Sequence, residues 1–195
     1  MTAIDDTRPV TDDERLTALA LSARGGEAAH LAAFAQAAYE DVRRFLAHLT
    51  DDRSADDLAQ ETFLRVLRSL PGFAGRSSAR TWLLAIARRV VVDRFRAAAA
   101  RPVVADLPDW QAAAERSRPP GLPGLEDRIV LADLLSAVPR ERREAFVLTQ
   151  VAGLSYAEAA ALLGCPIGTV RSRVARARGQ LVAALTAPYR SEDAG

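Results

Sequence analysis

The segment from Gly153 to Arg178 constrains the fold more than any other part of the chain, because it has the pattern of two helices joined by a tight turn. Ser155 and Glu158 form the Ser-x-x-Glu pattern of a capping box, in which each side chain satisfies a free backbone N–H group at a helix start. This pattern predicts a helix from residue 156 to residue 163. Gly164 then suits the left-handed conformation that commonly ends a helix.

The second helix of this segment places apolar residues on one side and arginines on the other. Pro166 fits its first turn. At about 100° per residue, one face gathers four apolar positions and the opposite face gathers small and basic ones. The apolar positions are Val170, Val174, Ala177 and Leu181. The candidate contacts on and beside the opposite face are Thr169, Arg171, Ser172, Arg173, Arg176 and Arg178.

A narrow ridge of small residues between arginines suits a helix that lies in the major groove of DNA. Guanidinium groups can reach guanine edges from such a helix and can also hold phosphates on either side. A solvated basic helix is the alternative, but the cap, the turn glycine and the basic flanks occur together at the spacing of the motif. The segment therefore predicts a DNA-reading helix-turn-helix.

Composition narrows the class of protein further. Of the 195 residues, 49% are hydrophobic, and the formal net charge is only +1, so DNA affinity must arise from local basic patches. The single Cys165 excludes an internal disulfide. No apolar run reaches the length of a membrane span, and the first residues are acidic where a secretion signal would be basic and then apolar. We expect a cytoplasmic, mostly helical protein.

The N-terminal half predicts four helices from capping and breaking signals. Their predicted extents are from the Thr11-x-x-Glu14 capping box to Gly25, from Glu27 to Leu49, from the Ser54-x-x-Asp57 cap to the residue before Pro71, and from Ser78 to Ala100. One buried stripe is predicted in the second helix, at Phe34, Ala38, Val42, Phe45 and Leu49. The third helix has periodic positions at Leu58, Thr62, Phe63, Val66 and Leu67.

Helical periodicity stops between Arg101 and Gly124, where five prolines interrupt the chain. The sequence therefore predicts an all-α fold of two small helical domains joined by a flexible, proline-rich linker, with a winged-helix-like helix-turn-helix domain at the C-terminus. The predicted bounds are a disordered N-terminus at 1–10, a first domain at 11–100, the linker at 101–124, a second domain at 125–187 and a tail at 188–195.

A second basic segment lies in the first domain. From Arg76 to Arg101 the chain has seven arginines and one acid, Asp93. Pairing of Asp93 with Arg89 and Arg96 would make this an ordinary helical ion-pair ladder. An exposed Trp82 beside arginines, however, could stack on an unpaired base while the arginines bind the backbone of a single strand. The pattern indicates a second DNA site, different in kind from the first.

Acidic residues cluster at the start of the third helix. Asp56, Asp57 and Glu61, together with Gln60, occupy its first turns. Acids are favoured at any helix N-terminus by the helix dipole. The spacing alone therefore favours an ordinary helix start over a binding surface.

Three strings occur in one order along the chain: SADDLAQETFLRVL, then FAGRSSARTWLLAIARRVVVDRFR, then the helix-turn-helix. In this respect the chain resembles bacterial RNA polymerase sigma factors, specifically the extracytoplasmic-function group of the sigma-70 family, over about residues 12–185. The resemblance implies an alternative sigma factor, with region 2 at 11–100 and region 4 at 125–187, which binds RNA polymerase core and directs promoter-specific initiation. It implies no enzymatic activity, no cofactor and no metal.

The resemblance also implies a role for each matching group of residues. The helix that docks on the clamp helices of the largest polymerase subunit corresponds to Asp56, Asp57, Gln60, Glu61 and Phe63. The loop that captures a flipped minus-ten base and the helix behind it correspond to Phe73, Arg76, Ser77, Ser78, Arg80, Trp82, Arg88, Arg89, Asp93 and Arg96. The reader of the minus-thirty-five duplex corresponds to Thr169, Arg171, Ser172, Arg173, Arg176 and Arg178.

The implied partners are RNA polymerase core, through its clamp helices and flap, and promoter DNA; no membrane partner is expected. Members of the family are commonly restrained by an anti-sigma protein, so such a protein is a further expectation of the resemblance, although no residue of this chain demonstrates it. Many relatives have asparagine where this chain has Arg89. The minus-ten sequence that this chain prefers therefore cannot be inferred from the sequences that those relatives prefer.

Three other classes of protein were weighed. A two-domain helix-turn-helix activator would need a sensor or receiver domain upstream, with alternating strands and helices, and residues 12–100 show no strand signal. A helical-bundle enzyme would need more metal ligands than the chain's two histidines, His30 and His48, and its one acidic cluster supply. We interpret His48 as a surface residue near a helix end. An adaptor without DNA binding is the third class.

Overall fold

The computed structural model describes residues 11–50, 52–100, 131 and 133–186. Helices and their connections account for these residues, and no β-strand occurs among them, which confirms the all-α prediction. The predicted N-terminal disorder, the linker at 101–124 and the tail at 188–195 lie outside the described residues. By contacts the chain divides into two compact units, Met1–Ala47 with Asp52–Val90, and His48–Asp51 with Val91–Gly195.

The first unit is built from four α-helices. They are α1 (Asp12–Ala23), α2 (Ala28–Leu49), α3 (Asp52–Ser69) and α4 (Ala79–Ala100). The last residues of α2 and of α4 belong to the second unit. A short 3-10 helix (Leu70–Gly72) and a loop at 73–78 join α3 to α4. The capping box at the start of α1 is confirmed: the Thr11 hydroxyl accepts from the Glu14 amide at 3.2 Å, and the Glu14 carboxylate accepts from the Thr11 amide at 2.8 Å.

Two details of the first half differ from the sequence predictions. Helix α3 begins at Asp52, so Ser54 lies inside the helix and does not cap it. His48 is only 8% exposed instead of lying at the surface. The stripe predicted for α2 is confirmed, because all five of its positions are buried. Of the periodic positions of α3, Leu58, Thr62 and Val66 are buried, Phe63 is half-buried and Leu67 is exposed.

The second unit contains the helix-turn-helix. After a helical stretch at 133–136, helix α5 (Arg140–Phe146) continues as a π-helical segment (Val147–Val151), followed by α6 (Tyr156–Leu163) and α7 (Ile167–Thr186). The last turn of the π-helical segment is closed by the Ala152 amide, which donates to the Val147 carbonyl at 2.8 Å.

The helix-turn-helix itself forms as predicted. The Glu158 amide donates to the Ser155 hydroxyl at 3.2 Å, and the Ser155 amide donates to the Glu158 carboxylate at 2.9 Å. Gly164 ends α6 with φ of +67°, the left-handed region in which a Cβ is disfavoured. The predicted inner face of α7 is buried at all four of its positions, Val170, Val174, Ala177 and Leu181. Its opposite face therefore points away from the core.

No helix among the described ranges combines the length and the apolar character that crossing a membrane requires.

Candidate nucleic-acid interface

The outer face of α7, the recognition helix of the predicted helix-turn-helix, is open to solvent. Arg171, Ser172 and Arg176 are exposed. Neither Arg171 nor Arg176 forms a hydrogen bond or an ion pair with another residue that the structure describes. The Ser172 hydroxyl donates to the Thr169 carbonyl at 3.0 Å. Two long cations therefore project from this face without an intramolecular partner, and each remains available for a ligand.

The other two arginines of the recognition helix are held by α5 and its π-helical extension. Arg173 pairs with the Glu141 carboxylate, and its Nη1 lies 3.8 Å from the Cys165 sulfur. Arg178 donates from Nη2 to the Gln150 side-chain carbonyl at 2.8 Å. Side chains fixed in this way give up less conformational freedom when they bind. The recognition helix thus combines two free arginines with two oriented ones.

Small residues make the same face narrow. Gly168 and Ala175 are exposed there, and a Cβ added to Gly168 would meet no atom within 4 Å. This face consequently carries small side chains between guanidinium groups, the arrangement expected of a helix that enters a DNA major groove. The sequence predicted this arrangement, but it gave no sign of Glu141 and Gln150. These two residues lie 32 and 28 positions away from the arginines they hold.

The second basic site lies in the 73–78 loop and along α4. Arg76 and Ser77 are exposed in the loop, and Arg89, Asp93 and Arg96 are exposed on α4. Arg76, Arg89 and Arg96 have no intramolecular polar partner in the part of the chain that the structure describes. Arg76 and Arg89 are thus available cations of the first unit, and Arg96 is an available cation of the second unit.

The aromatic residues of this site are less exposed to solvent than the sequence predicted. Phe73 is only 4% exposed, and its ring lies 4.8 Å from that of Trp82 with an interplanar angle of 38°. Trp82 is half-buried instead of fully exposed. An apolar contact of this kind fixes the start of the loop to the helix that follows it. Phe73 accordingly belongs to the core of the first unit and not to its surface.

Two arginines of the predicted site are partly covered. Arg80, in the first turn of α4, lies 3.1 Å from the Asp41 carboxylate and 3.7 Å from that of Asp13. Arg88 is half-buried. The hydroxyl of Ser78 caps α4, because it accepts from the Thr81 amide at 3.2 Å. These residues shape the helix and its N-terminus, whereas Arg76, Arg89 and Arg96 extend into solvent.

The acids of α3 differ in how they are compensated. Asp56 accepts from Arg43 at 2.6 Å, and Glu61 accepts from Arg65 at 2.8 Å. Asp57 is exposed and makes no ion pair within the described ranges, and Gln60 is exposed beside it. Asp57 is thus the uncompensated negative charge of this face.

Apolar side chains lie next to these acids. Leu64 is 52% exposed, and Phe63 is half-buried against Tyr39, with ring centroids 5.6 Å apart. Asp57, Gln60, Glu61, Leu64 and Leu67 follow one another at helical spacing, and we name them the acidic face. Leu64 and Leu67 were not predicted as site residues, although their spacing from Asp57 could have indicated them. An exposed acidic and apolar surface of this kind is typical of a protein-binding site.

Two family models match the chain. The Sigma-70 region 2 model matches residues 34–101, and the Sigma-70, region 4 model matches residues 128–181. The first match contains the acidic face and the second basic site. The second match contains the helix-turn-helix.

Curated relatives match over most of their length. The chain is 50% identical over 179 residues to the ECF RNA polymerase sigma factor SigC of Mycobacterium tuberculosis, covering 91% of this chain and 95% of that protein. It is 37% identical over 150 residues to the ECF RNA polymerase sigma factor EcfG of Rhodopseudomonas palustris, covering 76% and 81%. It is 36% identical over 131 residues to the ECF RNA polymerase sigma-E factor of Escherichia coli, covering 63% and 69%.

Two solved structures have a similar fold. CnrH in complex with the cytosolic domain of CnrY matches with a TM-score of 0.66 at 25% identity, covering 91% of this chain and 99% of that one. The sigma factor RpoE in complex with the anti-sigma factor NepR from Bartonella quintana matches with a TM-score of 0.64 at 27% identity, covering 79% and 95%.

Proposed function

Because this chain belongs to the extracytoplasmic-function sigma factors of the sigma-70 family, we propose that its three exposed surfaces divide the work of promoter recognition. As an alternative sigma factor it binds RNA polymerase core and directs transcription initiation at its own promoters. The acidic face would bind the core enzyme, the 73–78 loop with α4 would bind the minus-ten element, and the recognition helix α7 would bind the minus-thirty-five element. This places its work in the cytoplasm, where the polymerase acts.

The acidic face is proposed to dock on the clamp helices of the largest polymerase subunit. Its support is an exposed negative charge at Asp57 beside the exposed side chains of Gln60 and Leu64. Charge complementarity would orient the encounter, and apolar burial would hold the complex. Asp56 and Glu61 are each compensated within the protein, so we expect them to contribute less than Asp57.

The 73–78 loop and α4 are proposed to hold a base flipped from the non-template strand of the minus-ten element. Removing a base from the stack costs a few kcal/mol, which contacts in the protein must offset. Ser77 can offer a hydroxyl group to the nucleotide, whereas the Ser78 hydroxyl would hold the first turn of α4. Arg76, Arg89 and Arg96 can bind the DNA backbone. Phe73, Trp82, Arg80, Arg88 and Asp93 would support the shape and charge of this site.

The recognition helix is proposed to read the minus-thirty-five element as duplex DNA. Arg171, Ser172 and Arg176 face outward from the ridge and would reach base edges, while Thr169, Arg173 and Arg178 on the flanks would contact the backbone. One observation carries the proposal. On the face of α7 opposite the core, the side chains of Arg171 and Arg176 have no intramolecular partner and lie beside a narrow ridge of exposed small residues.

The domain bounds predicted from the sequence are also proposed, with region 2 at 11–100 and region 4 at 125–187, joined through 101–124. The alternative of a two-domain activator required a sensor or receiver domain upstream of the helix-turn-helix. Residues 34–101 match sigma-70 region 2 instead. An anti-sigma protein is a further proposed partner, because the solved relative RpoE is in complex with its anti-sigma factor NepR.

Run-off transcription tests the proposed function directly. Purified core enzyme free of sigma factors would be supplied with sheared genomic DNA from the source organism, with and without this protein. We expect discrete transcripts that require the protein, and their start sites would identify its promoters. Direct binding to core without any transcript would indicate a factor that needs an accessory protein, and absence of core binding would contradict the proposal.

Replacing Arg176 with alanine is expected to weaken binding to minus-thirty-five duplex DNA by roughly 1–3 kcal/mol, because a bidentate contact to a base edge is worth about that much. Gel shift or fluorescence anisotropy with a duplex containing the element measures the loss. Core affinity should not change, since α7 lies outside the residues proposed to bind core.

A scrambled duplex of equal length is the control for this variant. If Arg176 reads a base, the Arg176→Ala loss should be larger on the promoter sequence than on the scrambled one. Equal losses on both, with a salt slope smaller by about 1, would reassign Arg176 to a phosphate. Reduced binding to core would contradict the assignment of this helix to DNA.

A further inference from the structure

Helix α1 lies outside the segment that matches the region 2 family model, which begins at residue 34. Nevertheless α1 makes several contacts with the 73–78 loop and the start of α4, about sixty residues further along the chain. These contacts involve the elements that are proposed to capture the minus-ten base. They indicate a role for α1 that the match to the family model does not assign.

The first contact is a helix cap supplied from a distant part of the sequence. The backbone N–H groups in the first turn of any helix lack partners within that helix. At the start of α4, the Ala79 amide donates to the Thr17 hydroxyl oxygen of α1 at 2.9 Å. Thr17 in turn donates its hydroxyl proton to the Asp13 carbonyl at 2.8 Å, which turns its lone pairs outward. Ala79 is fully buried, so no solvent molecule can easily replace Thr17.

Further contacts follow along the same side of α1. Asp13 lies 3.7 Å from Arg80, which Asp41 of α2 holds from its other side at 3.1 Å. Leu21 covers the loop at Gly75, where an added Cβ would lie 3.5 Å from its Cδ2. Gly75 has φ of +67°, a backbone conformation that most other residues disfavour.

A further contact joins the end of α1 to the 3-10 helix that precedes the loop. The Arg24 guanidinium, directly after α1, donates to the Pro71 carbonyl at 3.4 Å. Successive turns of α1 therefore meet the helix start at Ala79, the bend at Gly75 and the 3-10 helix before the loop. These polar contacts come in addition to the apolar packing of α1, which buries Leu16, Ala20 and Ala23.

We propose that α1 braces the 73–78 loop in the conformation that captures the minus-ten base, and that Thr17 is the main positioning residue of this brace. The inference rests on the proposed minus-ten role of the loop. Thr17 touches no nucleotide: it fixes the first turn of α4, and the loop enters that turn through Ser78. Capture of a flipped base needs a preformed pocket, since a displacement of about 1 Å in positioning groups is enough to impair such a site.

The test replaces Thr17 with valine, which keeps the shape of the side chain and removes its hydroxyl. With core enzyme and a promoter that carries a fluorescent base analogue at the flipped minus-ten position, Thr17→Val should reduce promoter melting at least tenfold, because a buried amide loses its acceptor. Thr17→Ser restores the hydroxyl and should restore melting. Leu21→Ala, which uncovers Gly75, should reproduce the defect by a different route.

Ser22→Ala is the matched control. The Ser22 hydroxyl lies on the same helix, is exposed and donates to its own backbone at Ala18 over 3.1 Å, so its loss should leave melting unchanged. Core affinity and binding to minus-thirty-five duplex should also stay at the level of the unchanged protein in Thr17→Val. A parallel fall in thermal stability, core binding and melting would reduce α1 to a purely structural element and overturn the proposal.

The Arg76→Ala variant distinguishes a failure of the proposed role of α1 from a failure of the proposed minus-ten role of the loop. If Arg76→Ala impairs melting while Thr17→Val does not, the loop binds the minus-ten element but α1 does not position it. If neither variant impairs melting on a promoter that the protein transcribes, the assignment of the loop to the minus-ten element fails together with the brace.

Discussion

Asp57→Arg is expected to weaken the association of this sigma factor with RNA polymerase core on the order of a hundredfold, because a like charge placed in a complementary interface costs several kcal/mol. Asp57 is the acid of choice since Asp56 and Glu61 already pair with Arg43 and Arg65. A charge without an internal partner is free to meet a cation of the core enzyme. Titration of labelled protein with sigma-free core measures the change.

Glu40→Arg is the control for this reversal. Glu40 is an exposed acid on α2 of the same unit, and it lies outside the acidic face, so the same change in net charge there should leave core affinity within about threefold, as surface substitutions usually do. Binding of the Asp57→Arg variant to minus-thirty-five duplex should be unaltered. Equal losses for the two variants would show that core responds only to overall charge, and the acidic face would lose its assigned role.

Local signals in the sequence were enough to predict the helix-turn-helix. The capping box at Ser155 and the left-handed turn at Gly164 involve groups only a few residues apart. Such local structure can therefore be predicted directly from the sequence pattern. The apolar face of α7 was predicted for the same reason, because helical periodicity alone determines which of its residues are buried. The family resemblance was likewise carried by continuous strings of residues.

Contacts between distant elements could not be predicted in this way. The family resemblance assigns Arg80 to the minus-ten site, but the sequence does not indicate that its guanidinium lies between Asp13 and Asp41 of two other helices. Arg173 and Arg178 are oriented by Glu141 and Gln150, whose positions depend on how α5 packs against α7 and on the π-helical segment. Such pairings follow from tertiary packing and leave no periodic trace in the sequence.

Burial was also misjudged where a residue lies at the edge of an element. Leu67 fits the periodicity of α3, yet near the C-terminal end of that helix it is 42% exposed. His48 has a polar side chain near a helix end and is buried all the same. The resemblance placed Phe73 in a DNA-binding loop, and packing instead places its ring in the core, against Trp82.

Phe73→Ala is therefore expected to destabilise the first unit by about 3–5 kcal/mol, the usual cost of removing a buried phenyl ring and leaving a cavity. The chain has two tryptophans, and in a Trp110→Phe background the fluorescence of Trp82, in contact with Phe73, reports on this unit alone. Urea unfolding followed by that signal gives the change in free energy. Phe73→Leu, which refills most of the volume, should recover most of the loss.

Leu64→Ala provides the comparison for Phe73→Ala, because it also removes an apolar side chain from the first unit but one that is 52% exposed. Its effect on the free energy of unfolding should stay below about 1 kcal/mol, since little buried area is lost. If Phe73→Ala were equally mild but abolished promoter melting, Phe73 would contact the flipped base directly. A large loss of stability, with melting restored by Phe73→Leu, would instead establish that the ring serves the site by fixing the start of the loop to α4.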